Sequence, residues 1–101
     1  LFKAVNKDGL SVYTTSADIS DTSHEKLVRV LKASFLSINI AQNIAVIKTL
    51  PATAPAVASS IDSLKYKNLL GTIAGDDTIF ACFTSNEDSQ SFYEYILDEL
   101  R

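Results

Sequence analysis

Methionine is absent from the 101 residues, even at position 1, and cysteine and histidine each occur once. Without an initiator methionine, the sequence reads as a processed product or a piece of a longer chain. With Cys82 alone, no internal disulfide can form, which fits a reducing compartment. Cys82 falls in the apolar run 79–83 and reads as a small buried hydrophobe. His24 stands at an expected helix start beside Glu25 and reads as a surface residue. No Cys/His grouping has the spacing of metal ligands. Glycine is scarce too. Gly71 and Gly75 come with neither Lys-Ser/Thr nor a GxGxxG pattern, so there is no phosphate loop. No apolar run approaches the ~18 residues of a membrane span, and no signal-peptide pattern is present. A net charge of −3 lacks the basic surplus of a nucleic-acid-binding domain.

What is present suits one compact domain. Hydrophobic residues make up 47%, enough for a modest core and too few in total for two. Residues 2–6 and 10–15 lean toward strand, and Asp8-Gly9 between them is a hairpin signal. The polar stretch 16–22 reads as a linker. Thr22 and Glu25 have capping-box spacing, so a helix should begin near 23, with Leu27, Val30 and Leu31 inward. Lys26, Arg29 and Lys32 read as its solvated face. Two strands should follow around Gln42-Asn43. Leu36, Ile38 and Ile40 alternate on one, and Ile44, Val46 and Leu50 on the other, as in a sheet with one covered face. After Pro51, Thr53 is a candidate N-cap for a second helix. Pro55 is tolerable there because it falls in the first turn. Ala54, Val57, Ala58, Ile61 and Leu64 should face inward, with Pro55, Ser59 and Asp62 on a separate stripe. Strands 69–74 and 78–83 come next. Thr84 and Glu87 form a second capping box for a helix over about 86–100, burying Phe92, Tyr95, Ile96 and Leu100. The expected fold class is α+β: order αββαββα, a four-stranded, largely antiparallel sheet with helices packed on one face.

The segment that asks for chemistry is "LLGTIAGDDTIF", 69–80, which sets Asp76 and Asp77 side by side between two apolar strands. A hairpin turn alone accounts for Gly-Asp-Asp. Two adjacent carboxylates are too few oxygens for Ca²⁺ or Mg²⁺. An organic cation is the better fit, since a guanidinium offers paired donors that match a carboxylate. No nucleophile with a base is apparent, so the chain is not read as an enzyme.

"GTIAGDDTIF" at 71–80, "IAVIKTLPATAPAVASSIDSL" at 44–64 and "GLSVYTT" at 9–15 together resemble the bacterial arginine repressor family. The likeness runs in order over about residues 9–100 and points to the family's C-terminal domain. It implies that 1–15 is a remnant of a winged-helix DNA-binding domain, 16–22 a linker, and 23–101 an oligomerisation and arginine-binding domain. It implies L-arginine as effector, with no other cofactor and no metal. It also implies trimers that stack in pairs into hexamers, a cytoplasmic location without membrane association, and operator DNA contacted through an N-terminal domain outside this sequence. Carried over by position, Asp76 takes the guanidinium, Asp77 is a secondary acid, Thr72 and Ala74 line the ligand, and Asp62 stands at the pocket. Pro55 departs from the family, whose studied members place a ligand-contacting glutamine there. Proline offers no side-chain hydrogen bond, so weak or absent arginine sensing in a paralogous repressor is the alternative.

Overall fold

A computed structural model describes residues 16–101, with side chains described from residue 22. The strands expected at 2–6 and 10–15 lie outside the described residues. Seven elements follow in the expected order: α1 (Ser16–Ser34), β1 (Phe35–Ala41), β2 (Ile44–Thr49), α2 (Ala54–Ser63), β3 (Leu69–Ala74), β4 (Thr78–Phe83) and α3 (Asn86–Leu100). The α+β architecture is as expected from the sequence.

α1 starts at Ser16, not near 23, so the stretch expected as a linker is helical. Residues 16–34 contain neither Gly nor Pro. An internal capping pattern does not begin a helix where the preceding residues can continue it.

The sheet order is β1-β2-β4-β3, all pairs antiparallel, so β1 and β3 are edge strands. On β2 the buried residues are Ala45, Ile47 and Thr49. The sequence pattern had favoured Ile44, Val46 and Leu50. Alternation by two makes this a full exchange of faces. Ile44 and Val46 are half-buried on the opposite face, and Leu50 is exposed beyond the strand. Pairing carries the covered face across the sheet: Ile38 stands opposite Ile47, Ile47 opposite Ile79, and Ala45 opposite Ala81. Leu36, expected on the covered face of β1, is exposed, and the pairing is irregular just there, between Phe35 and Ser37.

The helices close this face. Leu27 and Leu31 of α1, Ala54, Val57, Ala58 and Ile61 of α2, and Phe92 and Ile96 of α3 share one core with Ile47, Ile79 and Phe83. Leu64, Tyr95 and Leu100 pack against its rim. Aromatic rings fill the end nearest α3. Phe83 and Phe92 have centroids 5.1 Å apart, and Tyr66 meets Phe92 edge-on at 5.2 Å. Burial of Tyr95, then the charge of Glu99, pushes its phenol up to about 12. His24 is partly exposed, as expected for a surface residue. Its Nε2 lies 2.9 Å from a Glu99 carboxylate oxygen, which ties α1 to α3.

The N-terminus of α3 is capped one residue later than the sequence pattern suggests. Ser85, not Thr84, is the N-cap, and its hydroxyl oxygen accepts from the Asp88 amide at 3.1 Å. The Ser85 and Thr84 hydroxyls both donate to Asp88 Oδ2, and Asn68 Nδ2 donates to Oδ1. These bonds favour the ionised form, the Ser85 bond most, and hold the Asp88 carboxyl below the usual carboxylate range. A depressed folded-state value stabilises the fold above the unfolded carboxylate range, near 4. That stabilisation is lost as pH falls through the folded value. Asp88→Asn should therefore lower the urea midpoint at pH 7 and flatten its fall below about pH 4. An acid limb identical to wild type would show that Asp88 is not held in this network.

Candidate functional site

β3 and the turn after it place Thr72, Ala74 and Asp76 at alternate positions, so they follow one side of an edge strand. That side belongs to the helix layer, because Thr72 and Ala74 pair with the buried Ala81 and Ile79. Ala74 itself packs against the core. α2 runs beside this edge and exposes Pro55, Ser59 and Asp62, the stripe expected from the sequence. The candidate site lies along the exposed stripe of α2 and the margin of β3.

Its two ends are chemically distinct. At one end Thr72 Oγ1 donates to Asp62 Oδ1 at 2.9 Å. At the other, Asp76 sits where α2 begins: the Ala54 amide donates to the Asp76 carbonyl at 3.2 Å, and the Ala52 amide to Asp76 Oδ2 at 3.1 Å. Ala54 and Asp62 are eight residues apart on one helix, about 12 Å along its axis. The structure thus pairs Asp62 with Thr72 and sets Asp76 apart from both. No single guanidinium touches both ends within one subunit.

Asp77 goes elsewhere. Its carbonyl accepts from the Thr49 amide at 2.8 Å, and its Oδ1 accepts from the Thr78 hydroxyl at 3.0 Å. Thr78 Oγ1 in turn accepts from Lys48 Nζ at 2.6 Å. Lys48 pairs with Thr78 across β2 and β4, so Asp77 is linked through a hydroxyl to the uncovered side of the sheet. Neighbours in sequence, the two aspartates have separate surroundings.

The turn does not call for these residue types. The Gly75 amide donates to the Thr78 carbonyl at 2.8 Å and closes the turn. Neither Gly75, Asp76 nor Asp77 has a positive φ. Backbone geometry therefore gives no reason for two aspartates. All three carboxylates are exposed, and none forms an ion pair among the described residues. Sequence reasoning passed over Ala52, Ala54, Thr78 and Lys48. Ala52 and Ala54 act through their backbone amides, which no side-chain motif reveals.

The uncovered sheet face is the second feature. Val46, Phe80 and Ile73 form a row across three strands, with Ile44 and Cys82 beside it. Ile73 is 71% exposed, Leu70 67% and Phe80 48%. Cys82 is half-buried on this face, not in the core, and its Sγ accepts from Asn43 Nδ2 at 3.7 Å. Gly71 leaves a gap in the face, since a Cβ there would meet nothing within 4 Å. Contiguous exposed apolar side chains mark an interaction surface.

Asp62 and Thr72 tie α2 to the edge strand, and a double-mutant cycle measures that tie. Asp62→Asn and Thr72→Val together should show a coupling of about 0.5 to 1 kcal/mol in urea denaturation, small because the bond is exposed. A coupling of zero would mean the bond does not persist in solution.

Comparison with known proteins identifies the family. Residues 31–98 match the family model described as "Arginine repressor, C-terminal domain". The chain is 39% identical to an arginine repressor of Acetivibrio thermocellus over 94 residues, covering 93% of this chain and 61% of that protein. It is 43% identical to an arginine repressor of Alkaliphilus metalliredigens over 94 residues, covering 93% and 63%. With an arginine repressor of Shouchella clausii it shares 39% over 100 residues, covering 99% and 67%. The chain thus spans about three-fifths of the length of the first two of these curated relatives. With a family model matched over most of the described fold, and identity near 40% across nearly the whole chain, the protein belongs to the arginine repressor family through its C-terminal domain.

Proposed function

We propose that this chain is the effector-binding and oligomerisation part of an arginine-responsive transcriptional regulator of arginine metabolism genes. L-Arginine is the ligand, and operator DNA is met through a separate N-terminal domain. The chain acts in the cytoplasm and is not an enzyme. The observation that carries this reading is the set of three exposed carboxylates, Asp62, Asp76 and Asp77, without ionic partners among the described residues and at positions whose backbone does not require aspartate. A guanidinium supplies the missing charge and paired donors to Asp76. Thr72 and Ala74 lie along the margin of β3 beside it, and Asp62 with Thr72 marks the far end of the site.

The apolar sheet face supports the assembly half of the proposal. Ile73, Phe80 and Leu70 are left exposed by the described residues, and further copies packed around this face would bury them. The reading is a trimer, with two trimers joined where the carboxylates gather. Like charges brought together across an interface repel, and desolvation strengthens the repulsion. Arginine between subunits removes it, so ligand binding and assembly are linked by mass action.

One observation favours a second reading, a paralogous domain that assembles but senses arginine weakly. Pro55 is exposed in the first turn of α2, next to Ala54, which holds Asp76. It brings no side-chain hydrogen bond to that end of the site.

Light scattering behind size exclusion, with and without millimolar L-arginine, separates the two. A shift from trimer to hexamer with arginine, abolished in Asp76→Ala, is expected for the sensing domain. An assembly indifferent to arginine at every concentration selects the second reading. Ile73→Lys and Phe80→Lys should each give folded, smaller species. Assembly unchanged by both would remove the sheet face from the interface.

A further inference from the structure

The segment between β2 and α2 holds a second device at the Asp76 end. The Thr53 amide donates to the Leu50 carbonyl at 3.2 Å, which closes a four-residue turn, Leu50-Pro51-Ala52-Thr53. Pro51 occupies its second position, and Ala52, in the third, has φ of 69°. Proline second and positive φ third define a type II turn, which normally takes glycine at that third position. Alanine there is strained, because its Cβ crowds the backbone in the left-handed region. The same sequence forms a type I turn without positive φ. The two forms differ by a flip of the Pro51–Ala52 peptide, which reverses the direction of the Ala52 N–H. In the strained form that N–H meets Asp76 Oδ2 at 3.1 Å.

We propose that Ala52 is a positioning residue for Asp76: the Pro51–Ala52 peptide is held in its strained orientation by the Asp76 carboxylate, and in return fixes that carboxylate for the ligand. The inference rests on the reading of Asp76 as the guanidinium acceptor. The hydrogen bond occupies one lone pair of Oδ2 and sets the plane of the carboxylate, leaving Oδ1 free of any hydrogen bond among the described residues. The Ala54 amide on the Asp76 carbonyl fixes the backbone beneath it. Flipping the peptide to type I removes the amide and frees the carboxylate to rotate. Effector affinity is therefore reduced by the fraction of molecules in the flipped form, and residue 52 sets that fraction without touching the ligand.

The test uses the full 101-residue chain and two arms. In the ligand-free arm, hydrogen exchange of the Ala52 amide is followed by NMR in wild type and Asp76→Ala. At least about tenfold faster exchange at that amide in the variant is expected, the size of a hydrogen bond to a charged acceptor. Equal exchange would overturn the proposal. In the second arm, L-arginine affinity is measured by calorimetry. Ala52→Gly, which accepts positive φ, should bind at least as tightly as wild type, since relieved strain can only enlarge the competent fraction. Ala52→Val should bind at least about tenfold more weakly, because a β-branched residue resists positive φ. Lys65→Val is the control, since Lys65 also has positive φ, 56°, but lies outside this turn. It should lose stability and keep wild-type affinity. If Ala52→Gly and Ala52→Val bind alike, or Lys65→Val weakens binding as much as Ala52→Val, residue 52 has no positioning role. A wild type that binds no arginine overturns the functional reading and with it the role toward ligand. The exchange arm still decides whether the carboxylate holds the peptide.

Discussion

The pairing of β2 with β4 decides which side of the sheet the helices cover. With Ile47 opposite Ile79 and Ala45 opposite Ala81, small and branched side chains line the helix-covered face, and α2 sits close to β3 and β4 through Ala54 and Ala58. That closeness brings the Ala54 amide to the Asp76 carbonyl and Asp62 to Thr72. A one-residue slip would put Lys48 into the core and Ile47 into solvent. The same register leaves Val46 and Phe80 on the far side. Core, candidate site and apolar face all follow from one set of strand pairings.

Much of this was readable in the residues. The strands 69–74 and 78–83 and the turn between them stand as expected, because short apolar runs bounded by Gly-Asp-Asp leave little choice. α2 also follows its pattern, with Pro55 in the first turn and Val57, Ala58 and Ile61 inward. The face of β2 was not readable. Ile44, Ala45, Val46 and Ile47 are all apolar, so alternation by two favours neither set. Thr49, a buried polar residue, gave no hint of its side. The start of α1 was misplaced because a polar helix without Gly or Pro has the composition of a linker. At the site, Asp76 and Asp77 drew attention through their chemistry. Their divergence was hidden, since one turns to the α2 entry and the other to Thr78 and Lys48. The pairing of Asp62 with Thr72 depends on how α2 packs beside β3, which local pattern does not encode.

On the proposed reading, the arrangement lets a small acidic domain respond to a small cationic ligand. None of the three carboxylates forms an ion pair among the described residues, so a guanidinium bound there would change the local charge sharply. The carboxylates lie on a turn and a helix stripe that are fixed by backbone hydrogen bonds, so little ordering is needed on binding. Asp88 shows the contrast. It too is a surface aspartate, but Ser85, Thr84 and Asn68 saturate it with hydrogen bonds, and it serves the helix.

β3 is an edge strand that carries Leu70 and Ile73, both large and largely exposed. Unpaired strand edges bearing apolar side chains recruit further strands without regard to identity. If subunits assemble as proposed, an isolated subunit is the species most exposed to aggregation, and solubility is tied to company. Dilution, or surplus synthesis of a subunit that cannot find its partners, shortens its life in solution. Upon heating, loss is expected as precipitation that begins once subunits separate, at temperatures where each still holds its fold. Any change that weakens association would then lower the amount of usable protein before it altered a single ligand contact.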